Sequence, residues 1–478
     1  MKRFLWLGFA LFLYVTCGGC GETFRPIIIP NPPTFPNPAA AHTVVTISDN
    51  GSFVAGSGMV IDVSGDSVES IANTDIHPVH AVQQSASEVL VLNQAVTAAG
   101  TGGQGTTSCL VSVTVNGVTT VYDVCPSLTL LNFSGTSIGS TNSITLPIYS
   151  SPNFVAVAPL ATTAYVTLPT YPPDPTAPAT IVPSIGAINT TTKQVTIIPV
   201  GTTTAANPYA LAVTPDSTKL YVANQGDKTI NAFNTEGLTA RQINGSLSSK
   251  PIWLSARSDS QAVYVLEESG TLAYIGILTT SGPDVLTEDP AINVPGAIKM
   301  VYDGNLNRLY ISGGNQVAIV DVSQPVPALI ATIPITAVPP STRSAQDPCM
   351  TTAVTTLNTV DVAALPDGSR AYVGTYYEDA SDNICPQVTV INLTSNSSQP
   401  PAIAIPGFTA DDAFCSPVQT QPAVRFRLTM AAGGDSTRAY LASCDGGNVN
   451  IIDTSTESYI ESQPVSVNQN PVFMLAGP

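Results

Sequence analysis

Pro208 precedes Tyr221 by thirteen residues, and the same interval separates Pro152 from Tyr165 and Pro251 from Tyr264. Pro78 to Val91 has it too, without the tyrosine, and looser copies run from Pro295 to Tyr310, Thr359 to Tyr372 and Arg427 to Tyr440. A period sustained through most of a chain means units that cannot bury their apolar faces alone and must stack on their neighbours. The clearest unit, residues 208–227, reads as an alternating strand, a Pro-Asp-Ser-Thr turn, a second alternating strand and a polar turn. Thr229 to Phe233 then begins a third strand. Alternation broken by turn residues every few positions is the signature of an antiparallel meander.

Within these units, Leu220-Tyr-Val-Ala-Asn-Gln-Gly-Asp-Lys-Thr-Ile230 and Ala371-Tyr-Val-Gly-Thr375 resemble the YVTN repeat of surface-layer-like proteins. The resemblance covers most of residues 43–478 and is strongest around 205–235. It implies a β-propeller, often of seven blades, and it carries no catalytic residue; its Tyr, Val and Asn read as packing and turn residues. Candidate innermost strands begin near residues 78, 152, 208, 251, 296, 359, 425 and 471. The last of them, Asn470 to Pro478, stops after one strand, whereas Thr43–Ser48, Gly58–Val63 and Val68–Ala72 supply three strands without an inner one. Joining the two ends in one blade closes the ring and removes an open edge. The expectation is an all-β chain forming a single β-propeller of four-stranded antiparallel blades. The repeat count is eight, and seven is the alternative if one weak unit, most naturally the first or second, is not a blade.

The N-terminus reads as an export signal. Lys2 and Arg3 precede an apolar run from Phe4 to Val15, too short to span a bilayer and suited to a signal peptide over 1–19. Gly19 before Cys20 resembles the lipobox of bacterial lipoproteins, with Cys17 where that motif prefers Leu, so Cys20 is the expected lipidation site. Residues 20–42, rich in proline, read as an extended tether to a propeller over 43–478. The expected address is a bacterial outer-membrane lipoprotein, or a periplasmic or extracellular protein. A net charge of −17 with no basic cluster argues against nucleic acid. It leaves the lipid anchor as the only expected membrane contact.

In a propeller whose blade strands run a to d from the inside out, b–c loops and d–a connections share one face. Six departures from the minimal repeat fall there: residues 94–108, a hairpin at 109–125 turning on Asn116-Gly117, then 169–183, 338–357, 375–384 and 406–422. Loops on a rigid scaffold are where binding usually resides. Beyond the leader, the six cysteines allow fifteen connectivities. The propeller arrangement selects three local disulfides, Cys109–Cys125, Cys349–Cys385 and Cys415–Cys444, each pinning an insertion, as suits an oxidising compartment. No C-x-x-C spacing follows the leader, and no metal site is expected among the cysteines.

Motifs that carry chemistry are few. Gly100 to Gly105 matches G-x-G-x-x-G without a following helix, so it reads as a loop. Gly135 to Gly139 matches G-x-S-x-G, but no histidine follows Ser137 in the chain. His77 and His80 are three apart, which on a strand places them on opposite sides. One acidic constellation stands out: Tyr376, Tyr377, Glu378, Asp379 and Asp382 in one insertion, Asp411 and Asp412 in another, and Asp445 after Cys444. These would gather on the elaborated face of two adjacent blades, as a solvated rim or as a patch for a cation or a basic partner. No cofactor is expected, a divalent cation being the one the patch admits. The leading functional expectation is a non-enzymatic binding or scaffold module for a protein, peptide or glycan. A lactonase-like or other hydrolase with an acidic channel mouth is the main alternative, and a surface-layer assembly component the third.

Overall fold

The computed structural model describes residues 43–51, 54–94, 110–115, 118–123, 125–174, 180–201, 205–277, 282–338, 343–351, 357–379, 381, 383–409, 428–460, 465–467 and 470–476. The signal peptide, the lipidation site Cys20 and the tether expected over 1–42 lie outside these residues. Among the described residues no helix is long and apolar enough to cross a membrane.

Eight antiparallel sheets of four main strands each follow one another along the chain. Blade 1 is shared between the two ends of the domain. Its innermost strand is Asn470–Ala476, which pairs with Thr43–Asp49, followed outward by Ala55–Asp62 and Ser67–Ile76. The ring therefore closes as expected, with the last strand completing the first blade. The innermost strands of blades 2 to 8 are Pro78–Ser85, Val155–Val157, Pro208–Val213, Pro251–Ala256, Ala297–Asp303, Asn358–Ala364 and Leu428–Ala432. The count is eight.

Burial explains why the repeat carries tyrosine. Tyr165, Tyr221, Tyr264, Tyr310, Tyr372 and Tyr440 occupy one position in strand b of their blades, and each is almost wholly buried between sheets. Several also reach the next blade with the hydroxyl. Tyr221 donates to Asp284 at 2.8 Å and Tyr440 to Asp66 at 3.0 Å. Burial, reinforced by the neighbouring carboxylate, pushes both hydroxyls far above the ordinary phenol range. The tyrosine is thus an apolar filler with a polar tip that ties one blade to the next.

Blade 2 departs from the repeat in register. Pro78 pairs with Asn93 as Pro208 pairs with Asn224, so Leu90, not Val91, stands in the tyrosine position. The equal spacing of Pro78 and Val91 hid an a–b connection one residue shorter than that of blade 4. Val82 and its partner Leu90 are eight residues apart, against nine for the equivalent Ala212 and Tyr221 of blade 4.

Residues 375–384 are not a loose loop. Strand b of blade 7 continues to Glu378 and strand c starts at Asn383, so the insertion is a hairpin prolonged past the sheet, with Tyr376↔Pro386 and Glu378↔Ile384 still in register. Buried Tyr376 and Tyr377 give those extra residues something to pack, which keeps them in strand conformation. The hairpin expected at 109–125 is present as Leu110–Val115 paired with Val118–Asp123. Gly135 lies in the turn between Ser127–Ser134 and Ser137–Thr145, so Ser137 opens a strand and no elbow forms.

Candidate functional site: the channel ring and the elaborated face

The strongest concentration of chemistry lies on the innermost strands, where the repeat places one residue per blade at an equivalent position. It faces the strand-b residue two places beyond the tyrosine position: Ala210 faces Ala223, Trp253 faces Leu266, Lys299 faces Ser312, Asp361 faces Gly374 and Thr429 faces Ala442. By the same register the other members are His80, Phe154 and Phe473. In six blades the ladder shifts register just before this residue. Such a bulge re-aims the side chain that follows it.

Seven of the eight residues are joined by direct contacts. His80 stacks on Phe154 with centroids 4.1 Å apart and leans on Phe473 at 4.8 Å. Phe154 meets the edge of Trp253 at 5.6 Å, across the blade whose ring residue is only Ala210. The Lys299 ammonium lies 5.9 Å from the Trp253 centroid and 6.0 Å from that of Phe473. It is also 2.7 Å from Asp361 Oδ1. The other Asp361 oxygen accepts the Met430 amide at 3.0 Å and the Thr429 hydroxyl at 3.4 Å. Contacts between blades that are not neighbours mean that the side chains meet across the channel and plug it at this level. Cation, carboxylate and aromatic faces satisfy one another within the ring.

This arrangement bears on hydrolysis. The only carboxylate of the ring, Asp361, is 1 % exposed and already occupied by an ammonium, an amide and a hydroxyl. A general base or metal ligand needs a free lone pair aimed at solvent or substrate. Among the described residues no group of three or more His, Cys, Asp or Glu is placed to hold a metal ion. His77 and His80 serve separate partners, His77 Nδ1 lying 2.7 Å from Asp49 and His80 joining the ring.

The elaborated face is built rigidly around blade 7. Cys349 and Cys385 form a disulfide, and both are buried with Tyr377. Arg343 donates to the carbonyls of Ile405 at 2.8 Å and Pro386 at 3.0 Å, pairs with Asp347 at 3.1 Å, and stacks over Tyr377 at 5.8 Å. One arginine therefore ties three segments together. Gly407 makes room for them, since a Cβ there would come within 2.3 Å of Cys349 Sγ. Cys125 and Cys444 are also disulfide-bonded. Cys109 and Cys415, their expected partners, lie outside the described residues. Replacing both Cys349 and Cys385 by Ala should lower stability by about 2–4 kcal/mol, the usual value for a loop of this length. Denaturant unfolding of the purified variant checks this.

The acidic constellation is more divided than its sequence suggests. Tyr376 is fully buried in the blade 7 core. Asp379, 6 % exposed, accepts the amides of Ser381 and Asn383 and the Asn383 side chain at 2.7–2.9 Å, closing the hairpin turn. Glu378 is half-buried. Asp382, Asp411 and Asp412 lie outside the described residues, and Asp445 sits in a short 3-10 turn, Cys444–Gly446.

A second acidic feature on this face has no motif. Glu267 ends strand b of blade 5, in the place where blade 4 has Asn224. It is fully buried and accepts the Ser249 amide at 2.6 Å, while the adjacent Ser248 amide donates to Glu288. Burial, with Glu288 close by, raises the Glu267 carboxyl from 4.5 to about 7. Because the folded value lies above the unfolded one, its stabilising contribution is complete below pH 4.5 and disappears as pH rises through about 7. The native protein should lose about 2–3 kcal/mol of stability between pH 5 and 8 from this group. Glu267→Gln should flatten that segment of a stability-against-pH curve, and an unchanged slope would refute the assignment.

The fold and its plugged ring define an eight-bladed β-propeller with one elaborated face. Among solved structures the chain is similar to AztD of Citrobacter koseri, at 10 % identity over 91 % of this chain and 97 % of that one, with a TM-score of 0.53. Looser likenesses are a candidate 6-phosphogluconolactonase of Bacteroides fragilis and Kuenenia stuttgartiensis hydrazine synthase. The former is 11 % identical over 81 % of this chain and 97 % of that chain, with a TM-score of 0.46. The latter is 14 % identical over 68 % of this chain and 89 % of that chain, with a TM-score of 0.43. The AztD likeness shows a shared fold, and the other two carry no argument. No protein-family model and no curated protein sequence matches the chain.

Of the ring residues only His80 stood out in the sequence, and then as half of a histidine pair with His77. Lys299, Asp361, Trp253 and Phe473 share no residue type, and only the pairing register reveals that they are equivalent. A search for the residue two places after the repeat's proline position would have found His80, Phe154, Ala210, Trp253 and Phe473.

Proposed function

We propose that this chain is an exported, lipid-anchored propeller of the YVTN type that works as a binding or scaffold module through its elaborated face. Cys20 carries the lipid, residues 20–42 are the tether, and the face around blade 7 meets a protein, peptide or glycan. The observation that supports binding over catalysis is the occupied Asp361 in a plugged channel, beside an insertion face pinned by a disulfide and Arg343. Rigid insertions reduce the ordering cost of association, which favours a recognition surface. Mass spectrometry of the protein expressed in a bacterium should find a diacylglyceryl-modified N-terminal cysteine at position 20, lost in Cys20→Ala. Turnover of 6-phosphogluconolactone that disappeared in Asp361→Asn, with folding retained, would overturn the binding reading.

A further inference from the structure

The face opposite the insertions carries the a–b and c–d turns, and there three of the eight blade junctions are stitched in one way. A backbone amide in one a–b turn donates to a serine hydroxyl in the next: Leu160 to Ser217 at 2.8 Å, Asp216 to Ser260 at 2.9 Å and Asp367 to Ser436 at 3.1 Å. Asp216, Asp259 and Asp435 stand one place before their serines and cap their own turns.

The junction of blades 2 and 3 lacks this stitch and differs from those three in two ways. Blade 3 has Leu160 and Ala161 where blades 4, 5 and 8 have Asp and Ser, so the stitching hydroxyl is missing and Leu160 is 62 % exposed. Blade 2 has the shortened a–b connection described above. Between them opens a cleft of about 530 Å³. Gln84 crosses its inner end, donating through Nε2 to the Ala161 carbonyl at 2.9 Å, and Lys193 crosses its outer end to Asn142 Oδ1 at 3.3 Å.

The lining has a definite chemistry. Gln84 is 8 % exposed, and its Oε1 has no hydrogen-bond partner among the described residues. A buried acceptor left in that state calls for a donor. Glu88 adds a half-buried carboxylate, whose carboxyl burial pushes above its usual range. Asn132, Thr162 and Thr190 add uncharged amide and hydroxyl groups, and Pro159 and Leu160 supply a small apolar wall.

We infer that this cleft between blades 2 and 3 is a carbohydrate-binding site. Sugar hydroxyls would donate to Gln84 Oε1 and to Glu88, and an apolar ring face would rest on Leu160. A pyranose presents that combination of many donors and one small apolar face. A peptide is favoured less, because its affinity comes from large side-chain anchors in desolvated pockets, and this lining, mostly amide, hydroxyl and charged groups, offers no apolar pocket to hold one. The site lies on the opposite face from the one assigned to macromolecular binding and does not depend on it.

The full-length protein is titrated calorimetrically with cellohexaose, maltohexaose and chitohexaose. At least one should bind saturably. Gln84→Leu and Glu88→Gln should each weaken that binding by about tenfold or more. The double change Leu160→Asp with Ala161→Ser rebuilds the repeat's own turn; it should abolish binding while the thermal midpoint holds or rises, which separates closure of the cleft from unfolding. Failure of all three sugars to bind overturns the inference, as does binding that the variants leave unchanged. A selected peptide that binds the native chain but not Gln84→Leu, with no sugar bound, would reassign the cleft to polypeptide and also overturn it. None of these outcomes touches lipidation at Cys20, so this inference and the proposed function fail separately.

Discussion

Asp361→Ala should destabilise the propeller by about 3–5 kcal/mol, because it strands the Lys299 ammonium in a largely buried ring. Asp361 answers an ammonium, an amide and a hydroxyl together, and no neighbouring group in the ring replaces it. The aromatic faces of Trp253 and Phe473 near Lys299 soften the loss but cannot supply a full counter-charge. The double variant Lys299→Met with Asp361→Ala should recover most of the stability, since apolar replacements of a buried ion pair are often neutral or stabilising. Chemical denaturation of the native protein, the single variant and the double variant decides the matter. If the single and double variants were equally unstable, the pair would not be the reason for the loss.

Asp284→Ala is expected to cost a similar amount, about 3–5 kcal/mol, by a different route. This carboxylate has no exposed surface and sits at the junction of blades 4 and 5. Arg241 binds it through two nitrogens at 3.2 and 3.0 Å, the Tyr221 hydroxyl donates at 2.8 Å, and Lys219 lies 3.9 Å away. Removing it leaves two cations facing each other across a buried phenol. Tyr221→Phe removes one neutral donor and leaves Arg241 in place, so it should cost only about 1 kcal/mol. Thermal unfolding of both variants gives the ranking. Comparable losses would mean that the tyrosine hydroxyl, rather than the Arg241 pair, holds the junction.

The two junctions differ in how far the sequence announced them. Tyr221 was conspicuous as part of the repeat, yet its partner Asp284 is sixty-three residues away, in the outer strand of the next blade. Asp361 lies in an unremarkable strand, and its alternating neighbours gave no reason to single it out. The acidic loop drew attention because its residues are adjacent in sequence, but Tyr376 turns into the core and Asp379 closes its own turn. Adjacency in the chain is a poor guide on a strand, where successive side chains point to opposite faces.

What the sequence carried by itself is the architecture: meander units counted as eight with seven left open, and a last strand placed to complete the first blade. These follow from local signals, since alternation and turn residues act over a few positions and the period only repeats them. Tertiary structure alone decided which residues meet in the channel and where the blades part. Lys299 reaches Phe473 from three blades away, and the one-residue shortening in blade 2 matters only through the turn of blade 3 that faces it. Such contacts depend on ring closure and on pairing register, and no window of sequence contains both partners.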